Sequence, residues 1–234
     1  MASVEREGLE KDFYDVDAKL APPAICTSYE RAHAVCRWYN TELRRDLMDK
    51  MAELVDGTDL DEHTDRLVLI GTQILEAALA TGVVSQERVI ETAWVALTLG
   101  SKLTERLYVP AKKNTDALAG ELALLNALSW RLPRLTPFYI LSILCDEIVS
   151  PPKNFHEHAN ALLGVLATTE EYCHLRRRAV AAGVAFAYAL RSLPIDTPAA
   201  HHKSSFRIPD PHNEGPRLHR ALQRAVGATS PIVA

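Results

Sequence analysis

The chain has 234 residues, of which 47% are hydrophobic and 24% are charged, and its formal net charge is −4. This composition is typical of a globular protein and offers no overall basic surface for nucleic acid. No apolar run reaches the length that a membrane-spanning helix needs, so we expect neither a nucleic-acid nor a membrane partner.

The cysteines and the N-terminal residues bear on the compartment. Cys26, Cys36, Cys145 and Cys173 show neither a CxxC pattern nor the spacing of metal ligands, which favours reduced thiols over a disulfide frame. The first residues, MASVEREGLEKDF, are charged and lack the apolar core of a signal peptide. We therefore expect an intracellular protein of a reducing compartment.

The hydrophobic pattern predicts helices and no strands. Residues 1–26 are predicted to be a tail that Pro22 and Pro23 close, and residues 195–214 a loop rich in Pro, His and Ser. Apolar residues repeat with helical spacing between these segments. The predicted helices span about residues 28–39, 41–56, 61–80, 86–103, 116–130, 137–149, 154–168, 175–193 and 218–226.

Two of these helices are apolar on every face. In the stretch Glu87–Leu103, capped by Ser85, only a few polar side chains interrupt the apolar residues, which predicts a central helix buried on all sides. A second such helix covers about 175–193. Because Arg88 and Arg178 are 178 − 88 = 90 residues apart, the pattern predicts two helical units joined at residues 132–137.

The pattern alone gives no catalytic or metal site. It contains no phosphate loop, no nucleophile elbow and no kinase signature. His156-Glu157-His158 lacks the spacing of an HExxH zinc site, and His201-His202 lie in a predicted loop. We therefore expect a protein that is not an enzyme and needs no cofactor or metal. From the pattern alone, Lys102 is expected to stabilise the C-terminal end of its helix, and Glu121 is expected to lie on a solvated helix face.

The sequence resembles the cyclins over about residues 28–226, most closely the D-type cyclins and those that gammaherpesviruses encode. The stretches that carry the resemblance are LRRDLMDKMAEL (43–54), ETAWVALTLGSKL (91–103), ELALLNALSWRL (121–132), Thr136-Pro137 and HANALLGVLATTEEYCHLRRRAVAAG (158–183). Each is a weak motif, but their order and spacing together are specific.

The resemblance implies an all-α fold of two tandem five-helix cyclin boxes, each around a buried third helix, with a short preceding helix. The implied divisions are a tail at 1–26, an N-terminal box at 27–133, a C-terminal box at 134–228 with its fourth helix reduced to a loop, and a tail at 229–234.

The implied function is to bind and activate a cyclin-dependent protein kinase by holding its C helix in the active position, which promotes cell-cycle progression. Lys102 and Glu121 would grip that helix, with Leu103, Leu125 and Leu132 as apolar contacts. Substrates such as retinoblastoma-type proteins would be reached through the kinase complex. The implied location is the nucleus or cytoplasm, of a host cell if the protein is viral.

Three departures from the family pattern favour a viral cyclin. Lys102 and Glu121 are only 121 − 102 = 19 residues apart, which suggests a fourth helix reduced to a turn. The patch that docks RxL-type substrates and inhibitors matches at Leu43, Leu47 and Glu53, but Lys50 stands where tryptophan is usual. The LxCxE motif and the PEST-like tail of cellular D-type cyclins do not occur.

Two alternatives keep the fold and change the partner. A B-type general transcription factor would bind DNA and be basic, and a retinoblastoma-type pocket would bind LxCxE peptides and be longer. A small enzyme of unknown chemistry is a third possibility, which would require a cleft of converging polar groups.

Overall fold

The computed structural model describes residues 28–55, 64–103, 117–132, 137–148, 151–175, 178–193, 208, 210 and 212–229. Throughout these ranges the regular structure is helical, as the sequence predicts. The helices are α1 Ser28–Val35, α2 Thr41–Val55, α3 Thr64–Leu79, α4 Val89–Leu103, α5 Ala117–Ala127, α6 Pro137–Asp146, α7 Phe155–Ala167, α8 Glu170–Cys173, α9 Arg178–Arg191 and α10 Gly215–Thr229.

Local sequence explains several helix ends. The Asn40 side chain accepts a hydrogen bond of 2.8 Å from the Leu43 amide and so caps the start of α2. After α3, Gly82 adopts a φ of 76° that only glycine reaches without strain, so the chain turns there. The Ser85 prediction is wrong, because its side chain makes no capping bond and a short 3-10 turn, Gln86–Arg88, precedes α4.

The helix most enclosed in the first half is α3, not α4. It packs against α1, α2, α4 and α7, and it is buried without a break from Leu67 to Glu76. The predicted burial of α4 on all sides is wrong, because Ile90 and Glu91 are exposed. Its burial is continuous only from Ala96 to Ser101, where α3 crosses it closely.

In the second half, α9 is largely buried, as predicted for its apolar sequence. It packs against α6, α7 and α10, and its buried residues include Val180 and Phe186. The sequence predicts a start near residue 175. In the structure α9 starts at Arg178, and a separate short helix, α8, precedes it. Thr169 caps α8 by accepting a hydrogen bond from the Tyr172 amide.

The buried side chains of both halves form one continuous cluster. Contacts between α3 and α7 and between α1 and α8 join the halves. The predicted tail 1–26, residues 133–136 of the predicted joint 132–137, the reduced fourth helix and most of the 195–214 loop lie outside the described residues. Of the tail 229–234, only Thr229 lies inside them, at the end of α10. Among the helices that are described, none combines the length and apolarity needed to cross a membrane.

Candidate partner-binding site

Lys102 and Glu121 form a direct ion pair between α4 and α5. The Lys102 ammonium donates to both carboxylate oxygens of Glu121, with Nζ–Oε1 and Nζ–Oε2 distances of 2.7 and 2.6 Å. The two side chains differ in exposure, since 45% of the lysine but only 11% of the glutamate is accessible. The structure therefore brings together the two residues that the resemblance singled out, with the cation outermost.

Close helix packing sets the position of this pair. Gly71 and Gly100 lie where α3 crosses α4, and a Cβ on Gly71 would come within 3.1 Å of the Leu97 Cα atom. Gly120 likewise lets α5 approach the Val95 side chain of α4. Small residues at these contacts hold the end of α4 against its neighbours, and Lys102 emerges directly beyond the buried Ser101.

Glu121 is not on a solvated helix face, which corrects the interpretation from pattern alone. It lies three and seven residues before Leu124 and Leu128, so the three share the core-facing stripe of α5, and all are buried. That spacing was available in the sequence. The spacing does not stand out there, because α5 is apolar on nearly every face and this hides which face packs inward.

Large apolar side chains are exposed on the outer face of α5 and in the turn that follows this helix. Leu118 is 74% exposed, Leu122 49% and Trp130 63%. Leu125 is half-buried on the same stripe as Leu118 and Leu122. We call Leu118, Leu122, Leu125 and Trp130 the α5 surface. Of the other predicted contacts, Leu103 is exposed next to Lys102, and Leu132 is half-buried against the core.

Trp130 is a site residue that sequence reasoning missed. Its φ is 60° and that of Ser129 is 51°, a left-handed conformation that is unusual for a bulky aromatic residue. The Trp130 amide donates to the Leu125 carbonyl at 2.8 Å, and its indole N–H donates to the Asn126 side chain at 3.2 Å. These bonds hold an exposed indole at the end of α5.

The predicted RxL docking patch lies on a different helix, α2. Leu43 is half-buried and Leu47 is buried, whereas Lys50 and Glu53 are exposed. Leu43, Leu47 and Lys50 lie on one stripe of the helix, with Lys50 at its solvent end. Docking at this patch stays a prediction.

Arg44 and Glu76 form a buried ion pair that the sequence analysis did not identify. The Arg44 Nε–H donates to Glu76 Oε1 at 2.8 Å, and Nη1 donates to the Ala167 carbonyl at 2.8 Å. The Ser28 hydroxyl donates to the other carboxylate oxygen of Glu76. Burial alone would lower the pKa of Arg44, but the Glu76 carboxylate raises it above its ordinary value.

The structure describes one of the two histidine pairs that were considered as metal ligands. His156, Glu157 and His158 occupy the first turn of α7, while His201 and His202 lie outside the described residues. Within the part of the chain that the structure describes, no group of three or more His, Cys, Asp or Glu side chains is placed to hold a metal ion.

Comparison with known proteins leaves the site to be interpreted from its geometry. A scan against protein-family models finds no match to this chain, and a search of the curated proteins finds none either. The arrangement itself is an ammonium paired with a buried carboxylate, with exposed leucines along α5 and an exposed indole at the end of that helix. Exposed aromatic side chains of this kind are enriched at protein interfaces.

Proposed function

We propose that this chain is a regulatory subunit that binds and activates a cyclin-dependent protein kinase. It holds the C helix of the kinase in the active position and so promotes cell-cycle progression. The observation that carries the proposal is the Lys102–Glu121 pair beside the α5 surface. This pair lies on the two helices whose sequences resemble the kinase-binding helices of cyclins.

The chemistry of the surface suits a helix of another protein. An ammonium donates hydrogen bonds to backbone carbonyls, and a carboxylate accepts them from N–H groups. The exposed Leu118, Leu122 and Trp130 supply apolar area, and aromatic anchors of this kind often dominate the binding energy of interfaces. A charged pair among apolar contacts fixes the register of the partner.

The proposed fold is two tandem cyclin boxes. The first comprises α2 to α5 with α1 preceding it, and the second comprises α6, α7, α9 and α10 with its fourth helix replaced by a loop. The order of the helices and the packing of α9 against α6, α7 and α10 support this division. The extensive contact of α3 with α7 supports a closely joined pair of boxes.

Activation follows from the requirements of phosphoryl transfer. A protein kinase is active only when a lysine of its own pairs with the glutamate on its C helix. A subunit that binds only the helix-in state shifts the population toward that state. A shift from 1:99 to 99:1 needs about 5.5 kcal/mol of differential binding, which an interface of ordinary size can provide. In this mechanism the catalytic groups are those of the kinase.

We further propose that the protein is a viral cyclin that acts on a host kinase. The short interval between Lys102 and Glu121 and the lysine at position 50 depart from cellular cyclins in the direction of a reduced protein. The rival proposals, a cyclin-fold transcription factor or a pocket-type protein, predict retention of promoter DNA or of LxCxE peptides in place of a kinase.

The direct test measures kinase activity with and without the purified chain. We expect phosphorylation of histone or retinoblastoma protein by at least one cyclin-dependent kinase to rise, while the chain alone shows no activity. Lys102→Glu should weaken kinase affinity by about 30- to 5,000-fold, which corresponds to 2–5 kcal/mol for a buried charge that loses its partners.

The matched control is Lys153→Glu, which makes the same charge change at an exposed lysine before α7. It should leave kinase binding and the melting temperature unchanged. The proposal fails if no kinase of the class is activated. The assignment of the contact surface fails if Lys102→Glu binds the kinase as tightly as the parent.

A further inference from the structure

We propose that Glu121 is a positioning residue, which orients the Lys102 ammonium toward the partner and makes little contact with the partner itself. This inference rests on the proposed function, because it assigns different roles to the two members of the same site. It departs from the expectation that both residues grip the kinase directly.

The difference in exposure is the first reason. The side chain of Lys102 is 45% exposed and that of Glu121 only 11%. Glu121 shares the inward stripe of α5 with the buried Leu124 and Leu128. Its carboxylate therefore lies on the protein side of the ion pair, and the ammonium lies on the solvent side. A partner that approaches from solvent meets the lysine first.

The hydrogen-bond count is the second reason. Both oxygens of Glu121 accept from the single Nζ of Lys102, at 2.7 and 2.6 Å. An ammonium has three protons, so at least one remains for a carbonyl of the partner. The carboxylate retains further lone pairs, but little of its surface is open to a partner. The free donor capacity of the pair therefore faces outward, on the lysine.

The position of Lys102 shows why an orienting group is needed. Lysine has a flexible four-carbon stem, and Lys102 lies in the last turn of α4. There the dipole of the helix attracts an ammonium back toward the helix end. Glu121 draws the ammonium across to α5 instead. Lys102 is thereby already ordered before a partner binds.

The first experiment needs no partner. NMR relaxation of the Lys102 ε-methylene group in the free protein measures its order, with the exposed Lys153 as the internal reference. We expect Lys102 to be more ordered than Lys153 in the parent and to fall to the level of Lys153 in Glu121→Ala. Glu121→Gln keeps one acceptor and should give an intermediate value. Unchanged order in Glu121→Ala would overturn the inference.

The second experiment is a double-mutant cycle on affinity for a cyclin-dependent kinase that binds the parent. Lys102→Met and Glu121→Gln serve as conservative changes, and thermal melting of each variant confirms that it is folded. We expect Glu121→Gln to weaken binding about tenfold when Lys102 is present and less than about twofold in the Lys102→Met background.

An equal loss in both backgrounds would show that Glu121 contacts the kinase directly, and the inference would be wrong. If no kinase binds the parent, the proposed function fails instead. The relaxation experiment then decides alone whether Glu121 orders Lys102, so the two failures remain distinguishable.

Discussion

Lys50 is the residue of the predicted RxL docking patch on α2 that departs most from an apolar floor. It lies on the same stripe of α2 as Leu43, Leu47 and Leu54, but it is exposed, and Leu47 beneath it is buried. A lysine offers a narrow aliphatic stem and a positive charge, where an aromatic ring would offer a broad apolar floor. The charge also repels the arginine of an RxL motif. We therefore expect RxL-bearing inhibitors to bind weakly.

Replacement of this residue tests that expectation. Lys50→Trp should tighten binding of an RxL peptide by about 1–2 kcal/mol, or about 5- to 30-fold, because it restores an aromatic anchor and removes the like charge. Calorimetry with the full chain measures the change, and Lys50→Ala separates the charge from the ring. Equal affinities of the parent and Lys50→Trp would mean that the patch does not bind RxL peptides.

Single residues show where sequence reasoning succeeds and where it fails. Lys102 and Glu121 were identified through family spacing, and the structure joins them in one ion pair. The burial of Glu121 was not foreseen, because α5 is so uniformly apolar that its inward face is not evident. Trp130 was not predicted to be a site residue. Its exposure depends on a left-handed turn that no local signal in Ser129-Trp130 predicts, since neither is glycine or asparagine.

At the scale of elements, the crossing of α3 over α4 depends on glycine. A Cβ on Gly71 would lie 3.1 Å from the Leu97 Cα and 3.3 Å from its amide nitrogen, and these backbone atoms cannot rotate away. A Cβ on Gly100 would meet the Ile70 Cγ2 atom at 3.0 Å, which a rotation of that side chain can relieve. The first contact is therefore the more restrictive.

Two Gly→Ala substitutions should separate the effect of close packing on the free energy of unfolding from the effect of helix propensity. Gly71→Ala gains about 1 kcal/mol of propensity but overpacks the crossing, so we expect a net loss of about 1–2 kcal/mol. Gly227→Ala in α10 has no neighbour within 4 Å of the added Cβ, and it should gain about 0.5–1 kcal/mol. Urea denaturation measures both, and a gain for Gly71→Ala would contradict the close crossing.

The two faces of α5 should respond differently to substitution. Leu118→Glu and Leu122→Glu change exposed side chains, so unfolding free energy should shift by less than about 0.5 kcal/mol, while kinase affinity falls. Leu124→Ala removes a buried side chain and should cost about 2–5 kcal/mol of stability. Calorimetric binding and thermal melting distinguish the faces. Unaltered kinase binding by both glutamate variants would remove the α5 surface from the interface.

Most helices could be predicted from the sequence, but their ends and partners could not. The apolar period located α2, α3, α6 and α7 to within a few residues, because each has a clear amphipathic stripe. The start of α4 as a 3-10 turn and the separate α8 were missed. An element of three or four residues is too short to show an apolar period of its own, so the sequence pattern does not reveal it.

At the scale of the whole molecule, side-chain contacts join the halves of the chain. The side chain of Asp65 in α3 lies against Gly164 of α7, where a Cβ would clash with the carboxylate. His174 Nδ1 lies 3.1 Å from the Glu30 carboxylate of α1. Arg44 bonds to the Ala167 carbonyl at the end of α7. The repeat in the sequence predicted two units, but contacts between units have no signature in a period.

Arg44 is the residue that connects most of these elements. From α2 it reaches Glu76 of α3 and the Ala167 carbonyl of α7, and its guanidinium lies 5.8 Å from the Tyr172 ring centre. Arg44 lies with Met48 on the core-facing stripe of α2. An arginine at such an apolar position is the feature of the sequence that could have indicated a buried ion pair. We expect this buried pair to specify one arrangement of the helices more than it adds net stability.

Removal of one partner should therefore be far worse than removal of both. Arg44→Met leaves the Glu76 carboxylate buried without its cation and the Ala167 carbonyl without its donor, and should cost about 3–5 kcal/mol of unfolding free energy. In Arg44→Met/Glu76→Leu no charge is stranded, so much of that loss should be recovered. Arg45→Met, at the exposed neighbouring position, should change stability by less than about 0.5 kcal/mol. Urea denaturation followed by circular dichroism gives all three values. A double variant no more stable than Arg44→Met would contradict the expected recovery. A double variant several kcal/mol less stable than the parent would show that the ion pair is itself a net source of stability, rather than a selector of the arrangement in which α2, α3 and α7 meet.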